Sequence, residues 1–456
     1  MPFHDWFVRT LAYPAWQRRR GGRVQATLAR LERTQWWQPA DLAAHALVRL
    51  RALVTHAIAR SPYYRGAFAA AGVAPQDIRT LDVLPSLPVL EKETLRERMP
   101  DLLTIPPAGL VKRRTSGSTG IPVLVWAGPE ARDAWTAASL RLQGWWGIRL
   151  GDRRLTWISR TGLTSMNWIK QFVLANTLEY SSLMITEAML ARLYARVASG
   201  GVRALLGYPS SLTYLAGYAA ARGLGPPAGL RAVFTTGETL HADQRALLRR
   251  VFQCPVVDEY GSSETGHIAG ECPEGRMHVA AENALVEYVP PRTPHPSGAR
   301  EVLITDLTNL ATPLIRYRLG DLAEPDAACP CGRGLPVLRL VAGRTSELVV
   351  LPDGRRLDFT VFAVVFEALR EEGIPIHQYR VTQRTLDEFA VHVAGLNVGA
   401  HAEVIRTRLL EALRANVRVH VEAVTEISPD PAGKRRRFIS QLTRRGQPEE
   451  MPAARW

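Results

Sequence analysis

Residues 115–120 read Thr115, Ser116, Gly117, Ser118, Thr119, Gly120, with a strand-forming stretch before them and Ile121-Pro122 after. The two glycines let the backbone approach an anion closely, while the hydroxyls and amides of the other four donate to its oxygens. Such a run has the chemistry of a phosphate cradle. Taken alone it equally fits a flexible turn, because Gly and Ser dominate turns for conformational reasons. It is not a Walker loop, since no Gly-Lys-Ser/Thr follows to set a lysine on the terminal phosphates and a hydroxyl on magnesium.

With 456 residues the chain is too long for one ordinary core and predicts a large unit with a smaller one, or about three units. Its 46% hydrophobic and 22% charged composition is that of a soluble globular protein. There is no uninterrupted apolar run of about 18 residues to suggest a membrane span. The N-terminal region around Asp5 and Arg9 lacks the features of a secretory signal, so the cytoplasm is the expected location. Four cysteines, two of them in Cys329-Pro-Cys331, suit a reduced compartment or a metal site better than a disulfide scaffold.

A net charge of +14 is compatible with nucleic acid, a membrane surface or a small anion as partner. No DNA- or RNA-binding motif accompanies the charge, so nucleic acid is not expected. Arg18, Arg19 and Arg20 follow Trp6, Phe7, Leu11 and Trp16, with Trp36 and Trp37 beyond. A helix packed on the main body is the favoured reading of this stretch. The other is a basic, aromatic element that touches anionic lipid or an assembly partner. The oligomeric state, a homodimer included, stays open.

Apolar spacing at Leu47, Leu50, Leu53, Val54 and Ile58 predicts helices from about 40 to 100, closed by Ser61-Pro62, and residues 1–104 read as a helical cap without a site. Over 105–344, β-rich runs such as Leu155-Thr-Trp-Ile158, Ala232-Val-Phe-Thr235 and Val302-Leu-Ile-Thr305 alternate with helical patterns such as Ala242 to Phe252. That alternation predicts an α/β body with a mainly parallel sheet. From 345 to 456 the pattern becomes that of a small α+β domain, opened by a hairpin that turns at Pro352-Asp353-Gly354.

Four more segments favour the phosphate-loop reading. Phe234-Thr-Thr-Gly237-Glu238 ends a strand where an open α/β sheet places ligands. Asp258-Glu259-Tyr260-Gly-Ser-Ser263-Glu264 offers a ring to stack on a flat base and, in Glu264, an oxygen ligand for Mg²⁺. Pro313-Leu-Ile-Arg-Tyr-Arg-Leu-Gly-Asp321 places an acid to accept ribose hydroxyls, and Pro431-Ala-Gly-Lys434-Arg435 presents a lysine from the small domain. Each alone reads as a cap, a salt bridge or a surface lysine; their common order is harder to explain that way.

The ordered set resembles the adenylate-forming superfamily of acyl-CoA ligases and adenylation domains. Ser61-Pro-Tyr-Tyr64, Leu87-Pro-Val-Leu-Glu-Lys92 and Cys329-Pro-Cys-Gly-Arg-Gly-Leu-Pro336 are similar to phenylacetate-CoA ligases and CapK-type proteins. The resemblance spans about 40 to 440. It implies that 115–120 wraps the phosphates of ATP, that Gly237, Glu238, Asp258, Glu259 and Tyr260 surround adenine, and that Asp321 and Arg344 take the ribose. Ser263 and Glu264 would meet the α-phosphate and Mg²⁺. Lys434 would be the adenylation lysine, stabilising charge that builds as a carboxylate attacks the α-phosphorus. A hinge would follow Arg344, where Ser346 replaces the acid common in the family.

The implied reaction joins a small carboxylic acid, by way of an acyl-adenylate, to a thiol, coenzyme A first. Alternatives are CapK-type transfer to an amine or carrier protein in polysaccharide or natural-product assembly, adenylyl transfer to a deazaflavin coenzyme, and a nucleotide-binding protein without catalysis. Cys272, His278, Cys329 and Cys331 together offer the four soft or borderline ligands that tetrahedral zinc prefers, with Cys254 and His267 as alternative fourth ligands. A pair of loop thiols without metal is the competing reading; similar cysteines in CapK-like relatives imply a structural zinc. Tyr208-Pro-Ser-Ser211 and Trp126, Trp135, Trp145 and Trp146 would suit a pocket for an aryl acid, or ordinary core packing.

Overall fold

The computed structural model describes residues 3–114, 123–158, 171–182, 186–199, 201–292, 298–344, 348–428 and 436–442. These divide into two compact units, with one boundary at Val341/Ala342. The class is α/β, as the alternation of strand and helix predicts.

The first unit begins with helices. Pro39–Arg60 is long and apolar enough to cross a bilayer by length and composition, with a mean hydropathy of 1.3. It is a core helix nonetheless: Leu50, Leu53, Val54 and Ala57 are buried together with residues of the following helices and the sheet. Its arginines are spent on the protein, Arg49 donating to the Leu307 carbonyl and Arg51 to that of Ile78. Ser61 ends this helix and caps the next, Pro62–Ala71, accepting from the Tyr64 amide, as a serine before proline favours.

Two short strands, β1 (Val111–Arg114) and β2 (Leu124–Ala127), pair antiparallel across the glycine-rich segment. The large sheet is built from β3 (Arg153–Ile158), β4 (Thr177–Ser181), β5 (Val202–Gly207), β6 (Ala232–Thr236), β7 (Val256–Ser262), β8 (Gly266–Glu271), β9 (Met277–Val279), β10 (Ala284–Val289), β11 (Arg300–Asp306), β12 (Tyr317–Pro325) and β13 (Val337–Arg344). Its order is β10-β11-β12-β13-β9-β8-β7-β6-β5-β3-β4. Only the β4-β3-β5-β6-β7 half is parallel. Beyond β7 every described pairing is antiparallel, so the sheet is mixed and not mainly parallel. The reason is local. After β7 the connections between strands carry no helix among the described residues and are too short for the crossover that parallel neighbours need.

That second half also curls. Tyr260 on β7 and Asp321 on β12 lie four strand steps apart, about 19 Å in a flat sheet, yet their side chains meet at 2.9 Å. Strong coiling brings the strand carrying Asp321 back over the end of β7.

A buried ion pair anchors the N-terminal helices to this body. Arg141, in helix Pro129–Trp145, binds Glu282 at 2.6 Å, and Glu282 also accepts from Thr34 of helix Val24–Thr34. Both charges are almost fully buried, so removing either partner would strand the other at a cost of about 3–5 kcal/mol.

The second unit has its own core. A hairpin of β14 (Leu348–Val350) and β15 (Arg356–Asp358) spans the turn read from Pro352-Asp353-Gly354. A sheet of order β18-β17-β16-β19 follows, from β16 (Ile376–Thr385), β17 (Glu388–Gly395), β18 (Arg418–Val424) and β19 (Phe438–Ser440). Helices Thr360–Glu371 and Ala402–Leu413 pack Phe362, Phe366, Ile405 and Leu409 against it.

Candidate active site

Parallel strands β3, β5, β6 and β7 point their C-terminal ends at one edge, which is where an open α/β sheet binds ligands. Four of the sequence motifs converge there. Gly237 follows β6 directly. Beside it, Glu238 accepts from the Ser210 amide and hydroxyl, capping helix Pro209–Ala221 and joining the end of β6 to the Tyr208-Pro-Ser-Ser segment.

The turn between β7 and β8 carries Ser263 and Glu264. It is tight for two steric reasons. A Cβ on Gly261 would meet the Gly266 carbonyl at 2.5 Å, and one on Gly266, whose φ is +68°, would drive into Trp135 at 2.3 Å. The Ser262 hydroxyl accepts from the Glu264 and Thr265 amides and holds the turn closed. Glu264 is buried. Its carboxylate accepts from the Tyr317 hydroxyl at 3.1 Å and pairs with Lys92 at 3.6 Å.

Arg113, on the strand that leads into 115–120, donates to the Ser263 carbonyl at 2.8 Å and lies over the Trp135 ring. The root of the glycine-rich loop is thereby fixed beside Glu264. Residues 115–120 themselves, Ser346 and Lys434 lie outside the described residues, as does the side chain of Arg344.

Tyr260 donates to Asp321 across the coiled sheet. Glu259 binds His267 at 2.7 Å, so His267 is committed to that carboxylate and is not a ligand to the cysteines. Asp258 accepts from Thr235 at 2.8 Å and stands beside Glu271, which Arg245 holds by two contacts. Burial, with the Glu271 charge adding to it, pushes the Asp258 carboxyl up to about 7.

Two participants escaped the sequence reading. Lys92 belongs to a region taken as a cap without a site, yet it pairs with Glu264. The segment before it is stitched to β12, Leu90 donating to Arg316 and accepting from Arg318. Tyr317 sat unremarked within a quoted motif; lying four residues before Asp321 on one strand, it shares that residue's face, and this period was the available signal.

A second cluster lies at the other end of β8. Cys272 ends that strand, His278 is on β9, and Cys329 and Cys331 come from the loop between β12 and β13. Their four ligand atoms all lie within 4.8 Å of one another. The Sγ atoms of Cys272 and Cys329 are 3.6 Å apart, and Cys331 Sγ is 3.3 Å from His278 Nε2. His278 Nδ1 faces the Leu335 carbonyl at 3.2 Å. A carbonyl can only accept, so that nitrogen carries the proton and Nε2 turns its lone pair to the sulfurs.

Burial pushes Cys329 up to about 12, whereas Cys331, against its burial, is held below the ordinary thiol value by the amide and guanidinium of Arg333. Cys254 packs with a different core cluster, so it does not join this set. The loop docks on residues 35–37: Gly334 donates to the Gln35 carbonyl, and a Cβ there would strike the Trp37 carbonyl at 1.8 Å. Arg333 lies 5.0 Å from the Trp36 ring and 4.4 Å from that of Trp145.

Of the four tryptophans, Trp135, Trp145 and Trp146 make contacts within the protein. Trp135 is buried against the Gly266 turn, Trp145 donates to Gln35, and Trp146 donates to the Glu271 carbonyl.

No family model matches the chain. Among curated proteins, phenylacetate-coenzyme A ligase of Thermus thermophilus is 29% identical over 360 residues, covering 76% of this chain and 79% of the relative. Protein CapK of Staphylococcus aureus is 21% identical, covering 80% and 81%. These relatives support the adenylate-forming superfamily for this chain. Within it the chain is phenylacetate-CoA ligase-like, an AMP-forming ligase. A solved 2-hydroxyisobutyryl-CoA ligase, captured after adenylation with its acyl-AMP, superimposes on this ligase with a TM-score of 0.70 over 89% of this chain and 90% of its own, at 21% identity, and so shares the fold.

The raised Asp258 carboxyl makes the ligase's stability depend on pH. The folded chain keeps a proton that the unfolded chain, with the ordinary value of 3.8, gives up, so this contribution is present at low pH and is lost as pH rises toward about 7. Asp258→Asn should therefore gain stability over wild type as pH is raised through that window, read from paired thermal melts. Parallel curves for the two proteins would show that burial does not hold the proton.

Proposed function

We propose that this ligase activates a small carboxylic acid with ATP, releases pyrophosphate, and passes the acyl group to the thiol of coenzyme A. The observation that carries this is the joining of Tyr260 to Asp321 beside the buried Glu264, at the strand edge where Arg113 holds the Ser263 carbonyl. Tyr260 offers a face to adenine, and Asp321, oriented by the tyrosine hydroxyl, accepts the ribose hydroxyls. Glu264 and the neighbouring Ser263 flank the α-phosphate.

The carboxylate nucleophile is already an anion, so no base is required. What the site must supply is positioning and neutralisation of charge on the phosphoryl oxygens. Lys434 provides an ammonium for that charge. Lys92 compensates the buried Glu264, and the Tyr317 hydroxyl fixes the orientation of its carboxylate. Glu264 fits a magnesium ligand, as a buried carboxylate with one oxygen engaged; bound Mg²⁺ would neutralise phosphate charge.

Arylacetic acids lead the candidates because phenylacetate-coenzyme A ligases are among the similar proteins. The CapK relative favours a second reading, with an amine or carrier-protein thiol as acceptor.

We further propose that Cys272, His278, Cys329 and Cys331 hold a structural zinc. A tetrahedral ion with Zn–S near 2.3 Å sets neighbouring sulfurs about 3.8 Å apart, close to the 3.6 Å between Cys272 and Cys329. With four protein ligands no position is open to water, and β8 separates the cluster from the Glu264 turn by about 20 Å. Its work would be to pin the 329–336 loop.

Pyrophosphate release from ATP with a panel of aryl, fatty and hydroxy acids tests the reaction. One acid should support turnover that rises on adding coenzyme A; adenylation indifferent to coenzyme A would favour the second reading, and silence with every acid would count against both. Metal analysis of protein purified without chelator should give about one zinc per chain, lost in Cys331→Ser together with thermal stability. Metal-free wild-type protein would remove the zinc.

A further inference from the structure

The segment Phe3–Arg19 is helical throughout, with a π-turn at Val8–Ala12, and it keeps several large apolar side chains on the surface. Polar side chains point inward: Asn176 donates to the buried Asp5, while Arg9 binds Asp152 and donates to the Leu150 carbonyl. Val8 and Tyr13 pack into the core beside them, but other large apolar side chains point outward. Phe3 is 77% exposed, Trp6 45% and Leu11 49%, and the rings of Trp6 and Phe7 lie 6.0 and 6.3 Å from that of Phe3. A soluble surface helix keeps such large apolar side chains on its buried face.

Along the chain after Asp5 and before Glu32 the charge is of one sign. Between Asp5 and Glu32 the chain contains Arg9, Arg18, Arg19, Arg20, Arg23 and Arg30 and no acid. Arg18, Arg19, Arg20 and Arg23 are exposed, and Arg20 lies over the Trp16 ring. Large aromatic and aliphatic side chains beside uncompensated arginines match the two layers of an anionic bilayer surface, the acyl boundary and the charged headgroups.

We propose that this helix docks the ligase peripherally on an anionic lipid surface, Phe3, Trp6 and Leu11 entering the interface and Arg18, Arg19 and Arg20 lying among the headgroups. A second copy of the chain could cover the apolar residues but would bring the same positive charge against itself, which favours the lipid.

Co-sedimentation of the full-length protein with vesicles tests this. Phosphatidylcholine vesicles containing about 30 mol% phosphatidylglycerol should retain the protein and pure phosphatidylcholine should not. About 0.5 M NaCl should release it. The triple variant Phe3→Ser, Trp6→Ser, Leu11→Ser should bind about tenfold or more weakly with an unchanged melting temperature. Should that variant melt early, Arg18→Gln, Arg19→Gln, Arg20→Gln should show the same loss. Wild-type protein that ignores anionic vesicles, or variants that bind as wild type does, would overturn the proposal. So would a dimer in sedimentation velocity that the triple variant dissolves in the absence of vesicle binding, which would assign the face to a second copy.

Discussion

A carboxylate buried at a tight turn is expensive, and the architecture around the site follows from meeting that cost. Glu264 can sit inside the protein only because Lys92 and Tyr317 reach it from two other elements. For Tyr317 to arrive, the antiparallel half of the sheet must coil until β12 stands over β7. The same coiling puts Asp321 against Tyr260. One geometric requirement thus assembles residues from β7, β12 and the segment before Lys92, and the turn glycines at 261 and 266 make room for it.

The two side-chain clusters of the first unit answer to different physics. At the Glu264 end, Lys92 and Tyr317 both meet Oε1 of the carboxylate, and a ligand site needs the other oxygen. At the Cys272 end the donors face one another, His278 is held by a carbonyl behind it, and the loop that bears Cys329 and Cys331 is locked to residues 35–37 by backbone contact too close for any side chain at position 334. Such a closed arrangement stabilises the route of the chain between β12 and β13, the strand on which Asp321 lies and the one after it. The cluster thereby supports the site without touching it.

Much of this was legible in the sequence wherever the chemistry is local. The Tyr260-to-Glu264 turn, the strand-end Gly237-Glu238 and the Cys329-Pro-Cys331 pair each show within a few residues, and the hairpin at 353–354 did so by turn composition alone. The misses were non-local. A lysine on a helical segment carries no mark of the carboxylate it will meet far along the chain, so Lys92 was read only as part of a family motif and given no role at the site. Strand direction was misjudged after β7 because short apolar runs look alike in parallel and antiparallel sheet; only the connection lengths separate them. For the tryptophans the sequence left a substrate pocket and core packing both open, and Trp135, buried against the Gly266 turn, follows the packing reading.

Exchange of label between pyrophosphate and ATP, dependent on the acid, reports the adenylation half-reaction alone and is the most direct test of the role given to Glu264. Glu264→Gln keeps the shape and the Tyr317 hydrogen bond but removes the charge. Exchange should fall by about 100-fold or more in a variant that still folds. Exchange within about twofold of wild type would contradict the account, because the buried charge would then serve only the fold.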